Sequence, residues 1–572
     1  MKNRNAWNLK FTFLLKHVDL VATAILSSAL FFTFARFDPE PHHDGIQLAS
    51  AIGVSEGLRI HSEVFSQYGA VVPWLNGLWL SITSQTLLNL RIFGAIQLVG
   101  ISVLMQLIMS QIGLRRSTKN LATLSWLVAC PVWAYQKWFF SLWPWPSISY
   151  MSVSLLGVYV VVRIRGNQKS DSALWVFSGF LFGLAALIRP NYGVVFFGSL
   201  GLLLLIRSLR SISGRQVRLF VLGTASPAFG MLAALLLTQS IRGWFNQSIL
   251  GPATGKAVAK IDFSYFYGIY FANWRQLAIS FIGLLLLFVF RTRLKLQAPI
   301  VFLIALGLGF KAFTQVDPIN PSTWLPKNFV LDPLVDPLSA MATIRLGLII
   351  GVVCLLIIGV RFRYFTETLE RDALDNRFVL SVLMAAALAG IAQLYPLPDV
   401  YHLWWASPPI LIICALVLNQ VDTRAINLVI AFFLPTAILS ISRLDEQLNI
   451  RRIEWQGGVL DGMYVDSELS SSFRSAAVIL AQIDPQTRFE CRDGLWAVFD
   501  GNYNSDGPNF VGWAYGTRVA DDSAEGSIVW CLDSGMTTDK NELKSRKLIT
   551  SGDQSLFFSR FSGDIEIELW KK

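Results

Sequence analysis

The sequence VDLVATAILSSALFFTFA at residues 18–35 is followed directly by RFDPEPHHDG at residues 36–45. The first stretch is apolar over about the length that crosses ~30 Å of hydrocarbon as a helix. The second stretch places three carboxylates and two imidazoles immediately after it. We therefore predict a membrane helix that ends in a loop equipped for chemistry.

Composition extends this prediction to the rest of the chain. Of 572 residues, 53% are hydrophobic and only 15% are charged, whereas soluble domains carry about 25% charged residues. Apolar runs of spanning length recur along the first three quarters of the chain. The predicted fold is a mainly α-helical, polytopic bundle of about 13 transmembrane helices. The predicted spans are 18–35, 91–113, 120–136, 147–163, 173–188, 190–206, 219–238, 276–290, 298–312, 345–360, 379–394, 403–420 and 425–441.

The basic residues predict the orientation of this bundle. Four of them precede the first span, and short basic loops such as those at Arg115, Arg210 and Arg293 fall on alternate connections. By the positive-inside rule the N-terminus is cytoplasmic, and the first outer loop is 36–90. The net charge of +10 follows this pattern and not a basic stripe with stacking aromatics, so nucleic acid is excluded as a partner.

The tail differs in composition from the rest of the chain. Short alternating runs such as Leu495–Phe499 and Asp564–Leu569 are bounded by turn residues and predict strands, with one helix near 470–482. The chain thus divides into a membrane domain, 1–441, and an extracytoplasmic α+β domain, 442–572. Cys491 and Cys531 would pair if the tail faces an oxidising compartment.

The acidic loop offers three candidates for general acid–base chemistry, Asp38, Glu40 and Asp44. A carboxylate accepts a proton from a hydroxyl when partial desolvation raises its pKa toward the working pH. For Asp38 and Glu40 the plain alternative, an acid that solvates a loop, is at least as good. The paired histidines beside Asp44 favour a functional role for that residue.

The same histidines raise the alternative of a metal site. His42, His43 and Asp44 are suitable ligand types, and Asp399 with His402 would complete a set. Adjacent histidines seldom converge on one ion, so a resident metal is not favoured. Asp399 and His402 belong to the run Gln393–Trp405, for which a functional role and a simple break between helices weigh equally.

Arg189 stands in a very short link between two apolar runs. An arginine costs ~2.5–3.5 kcal/mol at a helix centre and less near the interface. Its guanidinium suits an anion, of which phosphate is the natural choice, and the alternative is snorkelling to the headgroups. The run Trp143–Ser147 indicates mainly an interfacial aromatic anchor, with sugar stacking as the alternative.

Four motifs together resemble the GT-C class of integral-membrane glycosyltransferases. They are Glu56-Gly57 through Tyr68-Gly69, Leu187-Ile188-Arg189-Pro190, the Pro-His-His-Asp-Gly run at 41–45 and the Pro-x-Pro-Asp-x-x-His-x-Trp-Trp run at 396–405. The last two are similar to a bacterial envelope-polysaccharide subgroup of that class. The outer loops and soluble tail fit the same architecture.

The resemblance implies transfer of a sugar from a polyprenyl-phosphate carrier to a glycan or lipid acceptor, at the outer face of the inner membrane. It makes Asp44 the general base and Arg189 the group that stabilises the leaving lipid phosphate. His42, His43, Tyr68, Asp399 and His402 would contact substrate. No cofactor is required, and a divalent metal stays the alternative.

Two other functions fit the same features less well. A transporter or flippase of a lipid-linked glycan often shows internal repeats and ionisable residues near the membrane midplane. Here the apolar runs are nearly free of carboxylates and no repeat is evident. A glycan ligase of the same superfamily would share the predicted site.

Overall fold

The structure is a computed structural model of the whole chain. It describes residues 2–39, 43–66, 68–128, 130, 145–164, 171–207, 213–250, 351–352, 354–369, 376–393, 400–420, 448–467, 470, 474, 488–490, 528–532, 547–548, 556–560 and 563–571. The predicted spans 276–290, 298–312 and 425–441 lie outside these residues.

Helices dominate the described part of the chain. They are α1 (Lys2–Phe34), α2 (His43–Ser55), α3 (Val71–Ile82), α4 (Leu87–Gln111), α5 (Arg116–Val128), α6 (Pro146–Arg163), α7 (Asp171–Ile188), α8 (Pro190–Arg207), α9 (Gly214–Leu237), α10 (Ile241–Phe245), α11 (Phe362–Thr368), α12 (Asn376–Ala392) and α13 (Val400–Leu418). A π-helical turn, Asn246–Leu250, follows α10 directly.

Among the described helices, α4, α6, α7 and α9 are long and apolar enough to cross a membrane, and five shorter apolar helical stretches accompany them. The predicted fold class, a mainly α-helical polytopic membrane bundle, is confirmed. The number of 13 spans stays a prediction. Helix α3 was not among the predicted spans, because at 12 residues its apolar run is too short to cross.

Helices α7 and α9 pack closely through glycines. A Cβ atom on Gly179 would lie 2.1 Å from the Phe220 carbonyl oxygen, and one on Gly223 would lie 2.0 Å from the Val176 carbonyl oxygen. Apolar burial gives membrane helices little reason to associate, so small residues that let backbones approach supply the contact. These glycines therefore fix how α7, and with it Arg189 at its end, sits in the bundle.

A second tight contact joins α1, α5 and α13. Trp126 and Trp404 stack with ring centroids 4.8 Å apart. Each indole N–H donates to the other residue's carbonyl oxygen, at 3.2 and 2.9 Å. Phe31 packs edge-on against Trp126 at 5.8 Å. Because both indoles are satisfied, this aromatic core can be fully buried, and it fixes the start of α13.

The tail contains strands, as predicted. Strands β1 (Arg452–Glu454) and β2 (Tyr464–Asp466) form an antiparallel hairpin with Arg452 opposite Asp466. The other strands are β3 (Arg488–Glu490), β4 (Ile528–Leu532), β5 (Lys547–Leu548), β6 (Leu556–Arg560) and β7 (Gly563–Lys571), which form one sheet in the order β3-β4-β7-β5 with β6 also pairing with β7.

Strand β7 covers the predicted run 564–569, whereas 495–499 lies outside the described residues. Ser470 and Arg474 of the predicted tail helix are helical. The domain boundary at 442 stays a prediction.

Replacing Gly179 by alanine should separate α7 from α9. The added methyl group overlaps a backbone oxygen that cannot swing away, so we expect a loss of roughly 1–3 kcal/mol and a lower thermal unfolding midpoint in detergent. Gly230→Ala on α9 is the matched control, because no heavy atom lies within 4 Å of the position that its Cβ would take. Equal midpoints for the two variants would contradict the packing described for Gly179.

Candidate functional site

Asp44 lies in the first turn of α2 and its side chain is completely buried. It forms an ion pair with Arg91 of α4, which is also completely buried. Arg91 Nη2 contacts one carboxylate oxygen, and Nε lies 3.3 Å from the other. A buried bidentate ion pair of this kind fixes both side chains. Removing one partner lowers the free energy of unfolding by about 3–5 kcal/mol.

Arg91 also binds the loop that precedes α2. Its Nη1 donates to the Phe37 carbonyl oxygen, and its Nη2 donates to the Asp38 carbonyl oxygen at 3.0 Å. One guanidinium therefore connects the end of α1 with the beginning of α2. Arg91 was not among the predicted site residues, although a lone arginine in the second turn of an apolar span is a signal that a partner is needed.

Asp38 is buried as well, but its partners come from the tail. Its carboxylate accepts from Arg452 Nε at 2.9 Å and from the Asp466 backbone N–H at 2.7 Å. Burial raises the pKa of the Asp38 carboxyl, and the Arg452 charge and the Asp466 N–H act in the opposite direction. Two of the three predicted acids are thus held by arginines in a buried setting.

Arg189 is buried between α7 and α8. Its Nε donates to Gln393 Oε1 at 2.9 Å, and its guanidinium lies over the Tyr68 ring at 4.9 Å from the centroid. The structure thus brings together two predicted site residues, Arg189 and Tyr68, from segments more than a hundred positions apart in the sequence. Gln393, directly after α12, begins the predicted run Gln393–Trp405 but was given no role of its own there, because an amide carries no charge that calls for a partner.

Several buried polar atoms on α6 and directly after α12 lack a partner within the described part of the chain. They are the amide nitrogen of Gln393, the hydroxyl of Tyr150 and the hydroxyl of Ser147. Ser147 and Tyr150 are three residues apart on α6 and share one face of it, and Tyr150 is within electrostatic range of Arg189. Each can donate a hydrogen bond. Arg189, with buried donors on Gln393 and Tyr150 near it, is therefore suited to an anion.

A row of aromatic side chains extends from Arg189. Tyr68 packs edge-on against Trp145 at 5.1 Å, Trp145 stacks with Trp405 at 6.4 Å, and Trp405 packs edge-on against His402 at 5.3 Å. The predicted residues Arg189, Tyr68 and His402 therefore share one end of the bundle. Asp44 lies at that end too, because it follows the C-terminal end of α1, where Phe31 packs against Trp404 with ring centroids 6.0 Å apart.

His61 occupies a tight turn between α2 and α3, with a left-handed backbone at φ 66°. Its Nδ1 lies 2.8 Å from Gln247 Oε1, which also accepts from the Ser66 backbone N–H at 3.1 Å. The shared acceptor places the proton on Nδ1 and leaves Nε2 as a buried lone pair without a partner among the described residues. Burial lowers the pKa of His61 to about 4.

The remaining predicted site residues divide as follows. Glu40, His42 and Asp399 lie outside the described residues, and His43 begins α2 but only its backbone is described. Within the described residues, no group of three or more His, Cys, Asp or Glu side chains is arranged to hold a metal ion. The metal alternative at His42 and His43 therefore stays a prediction.

Comparisons with known proteins gave structural neighbours only. No family model matches the chain, and no curated protein matches it. A crystal structure of an oligosaccharyltransferase from Archaeoglobus fulgidus, in complex with Zn and sulfate, aligns with TM-score 0.44 and 12% identity over 86% of this chain and 58% of that one. The chain thus spans little more than half the length of that protein.

Two further neighbours resemble the chain to a similar degree. Oligosaccharyltransferase AglB from the same organism, with an inhibitory peptide and a dolichol-phosphate, aligns with TM-score 0.43 and 12% identity over 82% of this chain and 58% of that one. ArnT from Cupriavidus metallidurans, bound to undecaprenyl phosphate, aligns with TM-score 0.39 and 14% identity over 97% and 98%. Likenesses of this size carry no function over to the chain.

The buried His61 predicts a pH dependence of stability. Its pKa in the folded protein, about 4, is below the ordinary 6.5, so the unfolded chain binds the proton first. Stability is therefore fully present above pH 6.5 and falls as the pH drops toward 4, by roughly 3 kcal/mol in all.

Thermal unfolding midpoints of the wild type and His61→Asn between pH 7.5 and 4 test this. Asparagine tolerates the left-handed backbone and does not titrate. We expect the wild type to lose more stability than the variant over this range. Parallel curves would show that His61 does not titrate as described.

Proposed function

We propose that the chain is a GT-C-class glycosyltransferase that moves a sugar from a polyprenyl-phosphate carrier to an envelope glycan or lipid acceptor. The observation that carries this proposal is the buried Arg189 with donors near it that have no partner among the described residues, at the same end of an apolar bundle as a buried carboxylate. The first group suits a phosphate on a lipid, and the second suits a hydroxyl. Together they are the two charges that a glycosyl transfer between such partners requires.

Arg189 would stabilise the leaving group. When the bond between the anomeric carbon and the phosphate oxygen breaks, negative charge accumulates on the departing polyprenyl phosphate. A fixed cation and N–H or O–H donors in a dry site lower the energy of that charge more than water does, because they need no reorganisation. Gln393 holds Arg189 through Nε, and the amide nitrogen of Gln393, with Tyr150, would donate to phosphate oxygens.

Asp44 would accept the proton of the acceptor hydroxyl. Arg91 engages both of its carboxylate oxygens, and a carboxylate can accept from more than two donors because it has about four lone-pair sites. As the hydroxyl oxygen attacks the anomeric carbon, its proton passes to Asp44 and the lipid phosphate leaves from the opposite side. Attack from the side opposite the leaving group requires the two charged groups to be separate, and Asp44 and Arg189 do belong to different clusters.

The aromatic row would contact the sugar. Tyr68 and His402 are its half-buried members, and Trp145 and Trp405 lie between them. We further propose that this end of the bundle faces the outside of a bacterial inner membrane, with the tail beside it to shape the acceptor groove.

Transfer from a radiolabelled polyprenyl-phosphate sugar to membrane acceptors tests the assignment of the base. We expect Asp44→Asn to lower the rate by at least about 10²-fold, because the hydroxyl loses its proton acceptor. Polyprenyl phosphate should still bind to the variant, which shows that it folds. Glu40→Gln addresses the competing acid and should retain most activity.

Asp19→Asn provides a matched control for the loss of an ion pair. Asp19 pairs with Arg116 through two contacts of 2.7 Å between α1 and α5, at the other end of the bundle. Activity of Asp44→Asn equal to that of Asp19→Asn would remove Asp44 as the base. Absence of transfer with every donor, together with vesicle uptake of a lipid-linked glycan, would favour a flippase.

A further inference from the structure

We propose that Arg452, in the first strand of the tail hairpin, is a positioning residue for Asp44. It acts through Asp38 and Arg91, so that the hairpin at 452–466 is part of the catalytic machinery and not a separate binding module. This inference rests on the proposed function, in which Asp44 is the base. Its physical basis is a series of buried contacts that alternates basic and acidic side chains.

The first step is a backbone connection between the hairpin and the acidic loop. The Asp38 N–H donates to the Tyr464 carbonyl oxygen at 2.9 Å, and the Tyr464 N–H donates to the Arg36 carbonyl oxygen at 2.7 Å. Phe37 and Tyr464 thereby form an isolated parallel bridge. The loop that follows α1 is thus paired with β2 as a short strand would be.

The second step is the buried ion pair between Asp38 and Arg452. Their side chains are 2% and 5% exposed, and Arg452 Nη2 lies 2.9 Å from Asp38 Oδ2. The Arg452 guanidinium also lies over the Phe37 ring, 4.2 Å from its centroid. Since the Asp466 N–H occupies the other Asp38 oxygen, the hairpin holds the acidic loop through both strands.

The third step is the backbone of Asp38 itself. Its φ of 38° is in the left-handed region, which costs a non-glycine residue about 1 kcal/mol or more and persists only where surrounding contacts impose it. Here the imposing contacts come from the hairpin. This conformation turns the Phe37 and Asp38 carbonyl oxygens to Arg91, which holds Asp44 with its remaining donors.

An independent contact places the hairpin on the same helix as Arg91. A Cβ on Gly462 would lie 2.8 Å from Leu88 Cδ2, and Leu88 precedes Arg91 by less than one turn of α4. Gly462 has φ 76°, a value that glycine adopts without strain. The hairpin therefore contacts both the loop after α1 and the helix that carries Arg91. Its displacement would shift Arg91 and Asp44 together.

The experiment compares Arg452→Met, Asp38→Asn and the double variant in the full chain. If Arg452 acts through Asp38, each single variant lowers kcat about 10- to 100-fold, as expected for a base displaced by about 1 Å. The KM for the lipid donor should stay within about twofold, because Arg189 is untouched, and the double variant should match the singles. Arg452→Lys should recover part of the rate.

Arg451→Met is the matched control, since Arg451 is the exposed neighbour of Arg452. Deuterium exchange of the peptides that contain residues 35–39 and 464–467 gives a readout that does not depend on transfer. We expect faster exchange in Arg452→Met and wild-type exchange in Arg451→Met.

Faster exchange with unchanged kcat would overturn the inference, because the contact between the hairpin and the loop after α1 would then be structural only. Additive effects in the double variant, or an equal loss of rate in Arg451→Met, would overturn it too. A wild type that transfers no sugar from any donor contradicts the proposed function and, with it, the role of Asp44. In that case the exchange data still show whether Arg452 holds the loop after α1 in place.

Discussion

The rest of the site depends on the buried ion pair between Asp44 and Arg91. A charge in an apolar bundle is tolerated only with a partner, and here the partner is on α4, which follows α2 and α3 in the sequence. Arg91 then uses its other donors on two carbonyl oxygens of that loop. The pair therefore fixes the direction in which the chain leaves α1 and enters α2, and it positions the proposed base.

The second organising constraint is the separation of two charge clusters at one end of the bundle. In the first cluster Asp44 is paired with Arg91 and Asp38 with Arg452, so each carboxylate charge is balanced by an arginine. The Arg189 cluster has no acidic partner among the described residues, and instead has aromatic faces and unpaired donors around the cation. In the proposed reaction an anion would complete the second cluster, whereas the first already has its cations and would act on a neutral hydroxyl. This asymmetry distinguishes donor from acceptor chemistry in the proposed reaction.

Apolar runs and basic loops were sufficient to predict the helices from α4 to α9 and the strand at β7, because length and periodicity are local properties. Local sequence also identified Asp44, Arg189, Tyr68 and His402 as candidates. It did not reveal Arg91 or Arg452, or the contact of Gln393 with Arg189, because these roles arise only when segments far apart in sequence meet. The pairing of Asp38 with the tail, across more than 400 positions, has no local signal at all.

Binding of polyprenyl phosphate and of the corresponding uncharged polyprenol tests the central claim most directly, since the two lipids differ only in the group that Arg189 is proposed to hold. We expect the wild type to bind the phosphate at least about tenfold more tightly. Arg189→Gln should lose that preference, and the exposed Arg242→Gln at the same end should keep it. Equal affinity of the wild type for both lipids, or an undiminished preference in Arg189→Gln, would contradict the account.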